Sequence, residues 1–298
     1  MKKTYQRIII ITFLLTLLIL YTINSTLVIK SILDYTNLFI TKLFPTNFVF
    51  FMLSTILIDQ GLIELINNKL KLNGSIFYVT IMSILSGIPS GSKYTKDLLE
   101  KDLISTKTAN YLLAFTHFPN PMFVLNTVTI LLNKTIALKI LISLIISNLI
   151  IALIFKPSKK EVFTINNYSP KDFSQSLSKA ILDSLRIILI IYGTSIFFYL
   201  ITVIINKYLT LNVLTHVILN GIFDLTKGLF SIALLSNKLL KTLLIIIFFS
   251  FGSFSIHLQT KSIISNTSLK YKYFILGRLL QTILAITLFF LLNFIYKN

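Results

Sequence analysis

The sequence predicts an all-α polytopic membrane protein that forms a single membrane domain over residues 1–298. Two observations indicate this class: 55% of the residues are hydrophobic against 13% charged, and the mean hydropathy is +0.83. Apolar blocks recur along the whole chain without a polar stretch long enough for a soluble domain. Ordinary soluble domains are much less apolar, so we expect helices that cross a bilayer.

Five apolar runs are long enough to cross the hydrocarbon core, which takes about 20 helical residues. They are Ile8–Ile29, Thr108–Leu132, Thr135–Phe155, Leu185–Ile205 and Tyr273–Tyr296. The first follows a basic start and has no small-x-small cleavage site, so we predict an uncleaved helix with a cytoplasmic N-terminus. Asn47–Ile66 and Val213–Leu235 carry charged residues, and each could span, break or lie at the interface.

The net charge of +18 comes from 28 Lys and Arg against 10 Asp and Glu. The cations stand singly at the ends of apolar runs, where they contact phospholipid head groups, so we predict membrane lipid and no nucleic acid as a partner. Cysteine is absent, which excludes disulfides and thiolate sites. Metal-ligand spacings, phosphate loops and nucleophile elbows are also missing from the sequence, so we predict no enzyme activity, metal or cofactor.

The stretch SGIPSGSK, Ser86–Lys93, ends an apolar run of ten residues, Ile76–Leu85, that is too short to cross a bilayer. Glycine and proline break the helix there. Backbone that unwinds at membrane depth must line a polar cavity or be buried in protein. We therefore expect a re-entrant helical hairpin whose tip lies in this stretch.

A similar pattern, FFSFGSFSIHLQTK, follows 165 residues later. The offset aligns the pairs Asp59/Asp224, Gly87/Gly252, Ser90/Ser255, Thr95/Thr260 and Lys96/Lys261. Paired broken segments are typical of secondary transporters, so we predict two repeats, about 38–132 and 185–296, separated by a cytoplasmic linker loop over 156–179. Each repeat would hold a re-entrant hairpin and an interfacial or broken helix. The hairpins would enter from opposite faces, as inverted repeats, if Val213–Leu235 lies flat, and from one face if it spans.

The candidate substrate-binding residues lie at the two tips and in a proline-interrupted helix between them. Freed amides, hydroxyls and a half-helix N-terminus suit a carboxylate or phosphate. The candidates are Ser86, Gly87, Pro89, Ser90, Gly91 and Ser92 at the first tip, His117 and Asn120 in the interrupted helix, and Gly252, Ser253, Ser255, His257 and Gln259 at the second tip. The alternative interpretation is that these are ordinary loop residues and a packing kink.

The candidates for coupling are polar residues inside apolar runs, where charge is costly. They are Asp59, Asp224 and Thr226. Either acid could bind a coupling proton or cation. The alternative for the acids is an ion pair at a helix end, with an amine such as Lys227.

Five motifs in order resemble those of the sporulation integral membrane protein YlbJ family, which belongs to the nucleoside-recognition, or Gate, group. They are LFPTNFVFF, SGIPSGSK, LLAFTHFPNPMFV, GIFDLTKG and FGSFSIHLQ, and the resemblance covers about residues 38–291. His117 and Phe118 stand where the family usually has two asparagines. Asp224 replaces a glutamate and Ser253 replaces a glycine, so contacts at these positions differ from the family pattern.

The resemblance implies a fold similar to that of concentrative nucleoside transporters, with opposed hairpins and interfacial helices. It also implies a role in endospore formation, in the outer forespore membrane, with dipicolinic acid as the transported metabolite. This dianion could bind one tip with each carboxylate and pack its ring on Phe118 or Phe254. We therefore predict a secondary transporter of a small anionic metabolite that works by alternating access. A scaffold for spore-envelope assembly and a nucleoside carrier are the alternatives, and homo-oligomerisation stays open.

Overall fold

The computed structural model describes residues 2–70, 73–157 and 171–295, and all regular structure in these ranges is helical. The helices are α1 Lys2–Ile23, α2 Ser25–Leu38, α3 Phe44–Asp59, α4 Leu62–Leu70, α5 Gly74–Ser86, α6 Ser90–Glu100, α7 Thr106–Phe115, α8 Pro121–Leu131, α9 Lys134–Ile154, α10 Phe173–Tyr208, α11 Val213–Phe223, α12 Leu225–Ser231, α13 Lys238–Phe251, α14 Phe254–Ile263 and α15 Tyr271–Ile295. A π-helical turn, Phe39–Leu43, joins α2 to α3, and a 3-10 turn, Ile232–Leu234, follows α12. The predicted all-α class is confirmed.

Five stretches of the described residues are long and apolar enough to cross a membrane. They are Thr4–Ile23, α9, α10, the pair α13–α14 taken together, and α15. A sixth is added if Asn47–Asp59 and Leu62–Asn68, bent by 60°, count as one span. Two predicted spans are interrupted: the first one at Asn24, between α1 and α2, and Thr108–Leu132 between α7 and α8.

Helix α10 has 36 residues and is about 54 Å long, so it exceeds the thickness of the hydrocarbon core. It begins at Phe173, which corrects the loop predicted up to residue 179; residues 158–170 of that loop lie outside the described ranges. The polar composition was misleading. Ser176, Ala180 and Ser184 lie four residues apart on one face and are all buried, and small side chains at this spacing let a neighbouring helix approach closely.

Helices α5 and α6 fold back on each other as a helical hairpin. Near the turn, the hydroxyl oxygens of Ser86 and Tyr94 lie 2.5 Å apart. At the open end, the Ser75 hydroxyl at the start of α5 donates to the carbonyl of Leu103, beyond α6, at 3.3 Å. The hairpin therefore opens at the end of the bundle that holds Lys101, which we call the Lys101 end.

Helices α13 and α14 do not fold back, which corrects the second hairpin predicted at Gly252. Lys238, at the start of α13, lines a surface cleft with Asn293 at the far end of α15, which we call the Asn293 end. Beyond α14, Ser268 lies at the Lys101 end, where its hydroxyl oxygen is 2.9 Å from that of Thr106. The pair α13–α14 thus crosses the bundle as one broken helix of 26 residues.

Gly87 and Gly252 share one backbone conformation although different structures follow them. Their φ and ψ angles are 85° and −174° for Gly87 and 88° and −170° for Gly252, a region that residues with a side chain rarely adopt. Ile88 and Pro89 separate Gly87 from α6, whereas only Ser253 separates Gly252 from α14. The longer connection, which contains the proline, is the one that reverses the chain. The offset of 165 residues therefore predicts an equivalent glycine but not an equivalent hairpin.

Helices α11 and α12 form a helical hairpin that the sequence analysis did not locate. The Asn220 side chain on α11 donates to the Ser231 hydroxyl on α12 at 2.7 Å. Gly221 and Gly228 face each other so closely that a Cβ on Gly228 would lie 2.3 Å from the Gly221 Cα. The chain turns at Asp224 between the two helices. Of the alternatives considered for this stretch, a broken helix is the one that the structure has.

We expect Gly228→Val to destabilise this hairpin, because the added side chain meets backbone that cannot move aside within a close-packed pair. The melting temperature of the purified protein in detergent, followed by circular dichroism, should fall by several degrees. Gly193→Val on α10 is the matched control, since nothing lies within 4 Å of a Cβ there. Equal melting temperatures for the two variants would contradict the close contact.

Helix α7 and the first half of α15 run in the same direction. Their starts are joined by the contact of Thr106 with Ser268 at 2.9 Å. Further along both helices, a Cβ on Gly277 would lie 1.8 Å from the Ala114 carbonyl oxygen. The offset of 165 pairs these two helices, and an inverted repeat would make them antiparallel. These two helices are therefore not related as members of an inverted repeat. The boundaries of the two repeats stay predictions.

Candidate functional site

Three breaks between consecutive helices lie next to one another inside the bundle. They are residues 87–89 between α5 and α6, 116–120 between α7 and α8, and 252–253 between α13 and α14. The second break confirms that prolines 119 and 121 open the helix. Helix α8 starts at Pro121, and the Asn120 side chain caps it by accepting from the Phe123 amide at 3.1 Å.

The first and second breaks are in direct contact. A Cβ on Gly87 would lie 2.7 Å from the Asn120 amide nitrogen, and one on Gly91 would lie 2.0 Å from the Thr116 carbonyl oxygen. The Asn120 side-chain amide also donates to the Leu85 carbonyl at 3.1 Å. Glycine at these two positions therefore permits a backbone-to-backbone approach that a side chain would prevent.

The hydroxyls of the first tip bond within their own hairpin. Ser86 donates to the Met82 carbonyl at 2.5 Å, and Ser90 donates to the Gly87 carbonyl. Ser92 is buried on the first turn of α6, and Pro89 occupies the N-cap position of that helix. The Ser86 and Ser90 hydroxyls thus stabilise the turn, which leaves the backbone at the start of α6 as the part that can bind a ligand.

Hydroxyls at the third break form a chain that leads to Asp224. The Ser253 and Ser255 oxygens lie 2.8 Å apart, and the Ser255 hydroxyl donates to Asp224 Oδ2 at 3.3 Å. Asp224 is 2% exposed, and its Oδ1 accepts from the Lys227 amide at 2.9 Å as the N-cap of α12. Gln259 lies one and a half turns beyond the break and donates to the Ser195 hydroxyl on α10 at 2.8 Å. The tip of the α11–α12 hairpin thus meets the start of α14.

The two other coupling candidates differ in position. Asp59 lies at the Lys101 end, where its carboxylate is 2.6 Å from the Lys101 amine and 3.5 Å from the Lys171 amine. For Asp59 this is the alternative of an ion pair at a helix end, and its partners are Lys101 and Lys171 rather than Lys227. Thr226 lies in the first turn of α12, half-buried and two residues after Asp224.

The two candidate histidines, His117 and His257, pack against one aromatic ring. The His117 and His257 rings meet Phe274 edge to face, with centroid distances of 5.1 and 5.2 Å. His257 also bonds to the Tyr271 hydroxyl through Nδ1 at 2.6 Å and to the Phe251 carbonyl through Nε2 at 3.0 Å. His117 Nε2 has no hydrogen-bond partner among the described residues. The structure thus brings both histidines to the region between the second and third breaks.

Sequence reasoning missed Arg278, the largest side chain that is fully buried. It lies on α15, and its guanidinium donates to the carbonyls of Ala114 at 3.0 Å, His117 at 3.3 Å and Ser250 at 3.5 Å. It also donates to the side-chain oxygen of Asn148 at 3.1 Å. An arginine inside a predicted spanning run is itself a signal of a functional position.

Helices α6 and α14 begin at the breaks without a side-chain cap. Their N-cap residues, Pro89 and Ser253, make no capping hydrogen bond. All the other helices from α5 to α13 are capped by a side chain: Asn73, Ser105, Asn120, Asn133, Asp172, Asn212, Asp224 and Asn237. The first amides of a helix carry partial positive charge and bind anions when no side chain covers them.

A bundle of long apolar helices, several of them broken in the interior, defines a polytopic membrane protein. The chain is 25% identical over 296 residues to the sporulation integral membrane protein YlbJ of Bacillus subtilis (strain 168), and the match covers 81% of this chain and 72% of that protein. This similarity supports the resemblance to the YlbJ family that the five motifs indicate. No family model matches the chain, and no solved structure matches it.

Proposed function

We propose that this protein is a secondary transporter that moves a small anionic metabolite across a membrane by alternating access around the helix breaks. The observation that carries the proposal is the pair of uncapped helix N-termini, of α6 and α14, that start in the buried interior. First-turn amides that no side chain caps favour a carboxylate. In α6 the Ser90 and Ser92 amides bond to the Gly87 and Pro89 carbonyls, so a ligand there would bond to the remaining first-turn amides. Two such sites suit a ligand with two carboxylates.

Charge at the breaks adds support for an anion. Each broken helix leaves a partly negative C-terminus as well as a partly positive N-terminus. The Arg278 guanidinium covers the C-terminal carbonyls of α7 and α13 through Ala114 and Ser250. The C-termini of α7 and α13 are therefore neutralised while the N-termini of α6 and α14 are not. We expect this to favour an anion between the breaks, against the opposing charge of the Asp224 carboxylate at the third break.

Alternating access would use the two hairpins as gates. The α5–α6 hairpin opens at the Lys101 end, and the α11–α12 hairpin is followed directly by α13, which starts at the Asn293 end. We propose that both are re-entrant and enter from opposite faces, with their turns beside the breaks. Movement of one hairpin would open the site to one side while the other hairpin keeps it closed.

Dipicolinate during endospore formation is the substrate that we propose. The similar protein from Bacillus subtilis is named a sporulation integral membrane protein, and dipicolinate is a planar dianion with two carboxylates about one ring apart. Phe254 is the first residue of α14 and is 47% exposed, so its ring is available to a planar ligand, whereas Phe118 is fully buried. The membrane of action would then be the outer forespore membrane.

Uptake of radiolabelled dipicolinate by the purified protein in liposomes tests the proposal. We expect saturable uptake that excess unlabelled dipicolinate blocks, and that Ser255→Leu lowers at least tenfold by covering the start of α14. Ser265→Leu, an exposed position beyond α14, is the matched control and should retain uptake. Uptake of uridine but not of dipicolinate would contradict the anionic substrate, and no uptake of either would contradict transport.

A further inference from the structure

Arg278 has the surroundings of a cation site rather than those of an ion pair. Its acceptors are the carbonyl oxygens of Ala114, His117 and Ser250 and the amide oxygen of Asn148, at 3.0 to 3.5 Å, together with the side-chain oxygen of Gln281. Among the described residues no carboxylate lies within 4.0 Å of it. A fully buried charge without a counter-ion is costly unless oriented dipoles replace the counter-ion.

Helix C-termini provide these dipoles. Ala114 lies in the last turn of α7, His117 lies just beyond it, and Ser250 lies in the last turn of α13. In transporters with broken helices, carbonyls of unwound backbone and of half-helix C-termini coordinate the coupling Na⁺ or H⁺. In this chain a side-chain guanidinium occupies the place where those carbonyls converge.

The acceptors are held in place by further hydrogen bonds. The Asn148 side-chain amide donates to the His117 carbonyl at 2.9 Å, and the Gln281 amide donates to the Leu144 carbonyl at 3.2 Å. Gln281 in turn accepts from the guanidinium, whose central carbon lies 5.5 Å from the centre of the Phe274 ring. These contacts fix the position of the guanidinium between the C-termini of α7 and α13.

We infer that Arg278 is a covalently attached substitute for a coupling cation, so that this transporter needs neither Na⁺ nor K⁺ at its helix breaks. The part of the inference that concerns transport rests on the proposed function. The part that concerns the cation site rests only on the contacts of Arg278 with carbonyl oxygens. Arg278 is a positioning residue here: it holds the C-termini of α7 and α13 together and keeps a positive charge at the breaks in every conformation.

Liposomes with equal concentrations of NaCl, KCl or choline chloride provide the first test. We expect dipicolinate uptake by the unaltered protein to agree within twofold among the three salts. A rise of more than fivefold in NaCl or KCl over choline would overturn the inference, because a free cation would then be required.

Chemical rescue provides the second test. Arg278→Ala empties the site, so uptake per folded protein should fall at least tenfold and recover at least threefold with 20 mM guanidinium chloride, but not with 20 mM choline chloride. Arg186→Ala, at an exposed position on α10, is the matched control and should show neither effect. A well-folded Arg278→Ala protein that keeps full uptake, or that guanidinium does not restore, would overturn the inference.

Thermal unfolding separates this inference from the proposed function. If the unaltered protein takes up none of the tested compounds, the proposed transport function is wrong. The cation site is then tested by melting temperatures alone. We expect the melting temperature of Arg278→Ala to rise by several degrees with 20 mM guanidinium, and that of the unaltered protein to be the same in NaCl and choline chloride. If Arg278→Ala does not fold, the melting temperatures of the unaltered protein in NaCl and in choline chloride decide. A higher melting temperature in NaCl would overturn the inference. Equal melting temperatures, together with a folded Arg278→Lys variant, would support it.

Discussion

Replacing Gly91 with alanine is expected to abolish transport and to lower thermal stability. A Cβ at this position would lie 2.0 Å from the Thr116 carbonyl oxygen and 2.6 Å from the Thr116 hydroxyl oxygen. Both atoms belong to the second break, so the first tip would have to move away from it. Because the start of α6 is part of the proposed anion site, even a small displacement separates the binding groups.

The measurement is dipicolinate uptake per folded protein, together with the melting temperature in detergent. Gly193→Ala is the matched control, because α10 leaves open space around that position, and alanine there should be neutral or slightly stabilising. Unchanged uptake by Gly91→Ala would contradict both the contact with Thr116 and the placement of the site.

Asp97→Ala is expected to cause a large loss of stability. The Lys93 amine, with a side chain that is 0% exposed, lies 2.6 Å from the Asp97 carboxylate and 2.8 Å from the Thr55 hydroxyl. Removing one member of a buried ion pair costs about 3–5 kcal/mol because the other charge is left without a partner. We expect the lower end of that range, since the Asp97 side chain is 17% exposed and partly screened by solvent.

A double variant separates this cause from simple loss of contacts. Lys93→Met together with Asp97→Ala removes both charges, and an apolar replacement of a whole buried pair is often tolerated. We therefore expect the double variant to melt at a higher temperature than Asp97→Ala alone. If the second substitution lowers stability further instead, an unpaired charge is not the reason for the loss.

The positions of the helix breaks could be predicted from the sequence, because local chemistry determines them. Gly87 and Gly252 take a backbone conformation that favours glycine, and the prolines around Asn120 cannot continue a helix. The all-α membrane class followed from composition for the same reason: a bilayer admits few structures for so apolar a chain.

What the chain does after each break could not be predicted, because contacts distant in sequence decide it. The turn at Asp224 depends on two glycines that pack face to face, and nothing in the local pattern distinguishes it from a flat helix. Likewise α14 continues where α6 reverses, although the same glycine conformation precedes both. Arg278 was visible as a charge in an apolar run, but its partners come from three other helices.

Helix α10 connects the Lys101 end with the region of the third break through one unbroken helix. Its 36 residues form a stiff rod that is longer than the bilayer is thick, and Ser195 on this rod bonds to Gln259 near the third break. The rod begins at the Lys101 end, where the Lys171 amide donates to the Asp59 carbonyl and where Ser176, Ala180 and Ser184 are buried. Because the helix is unbroken between these points, we expect a displacement of its start to be passed on to Gln259 near the third break.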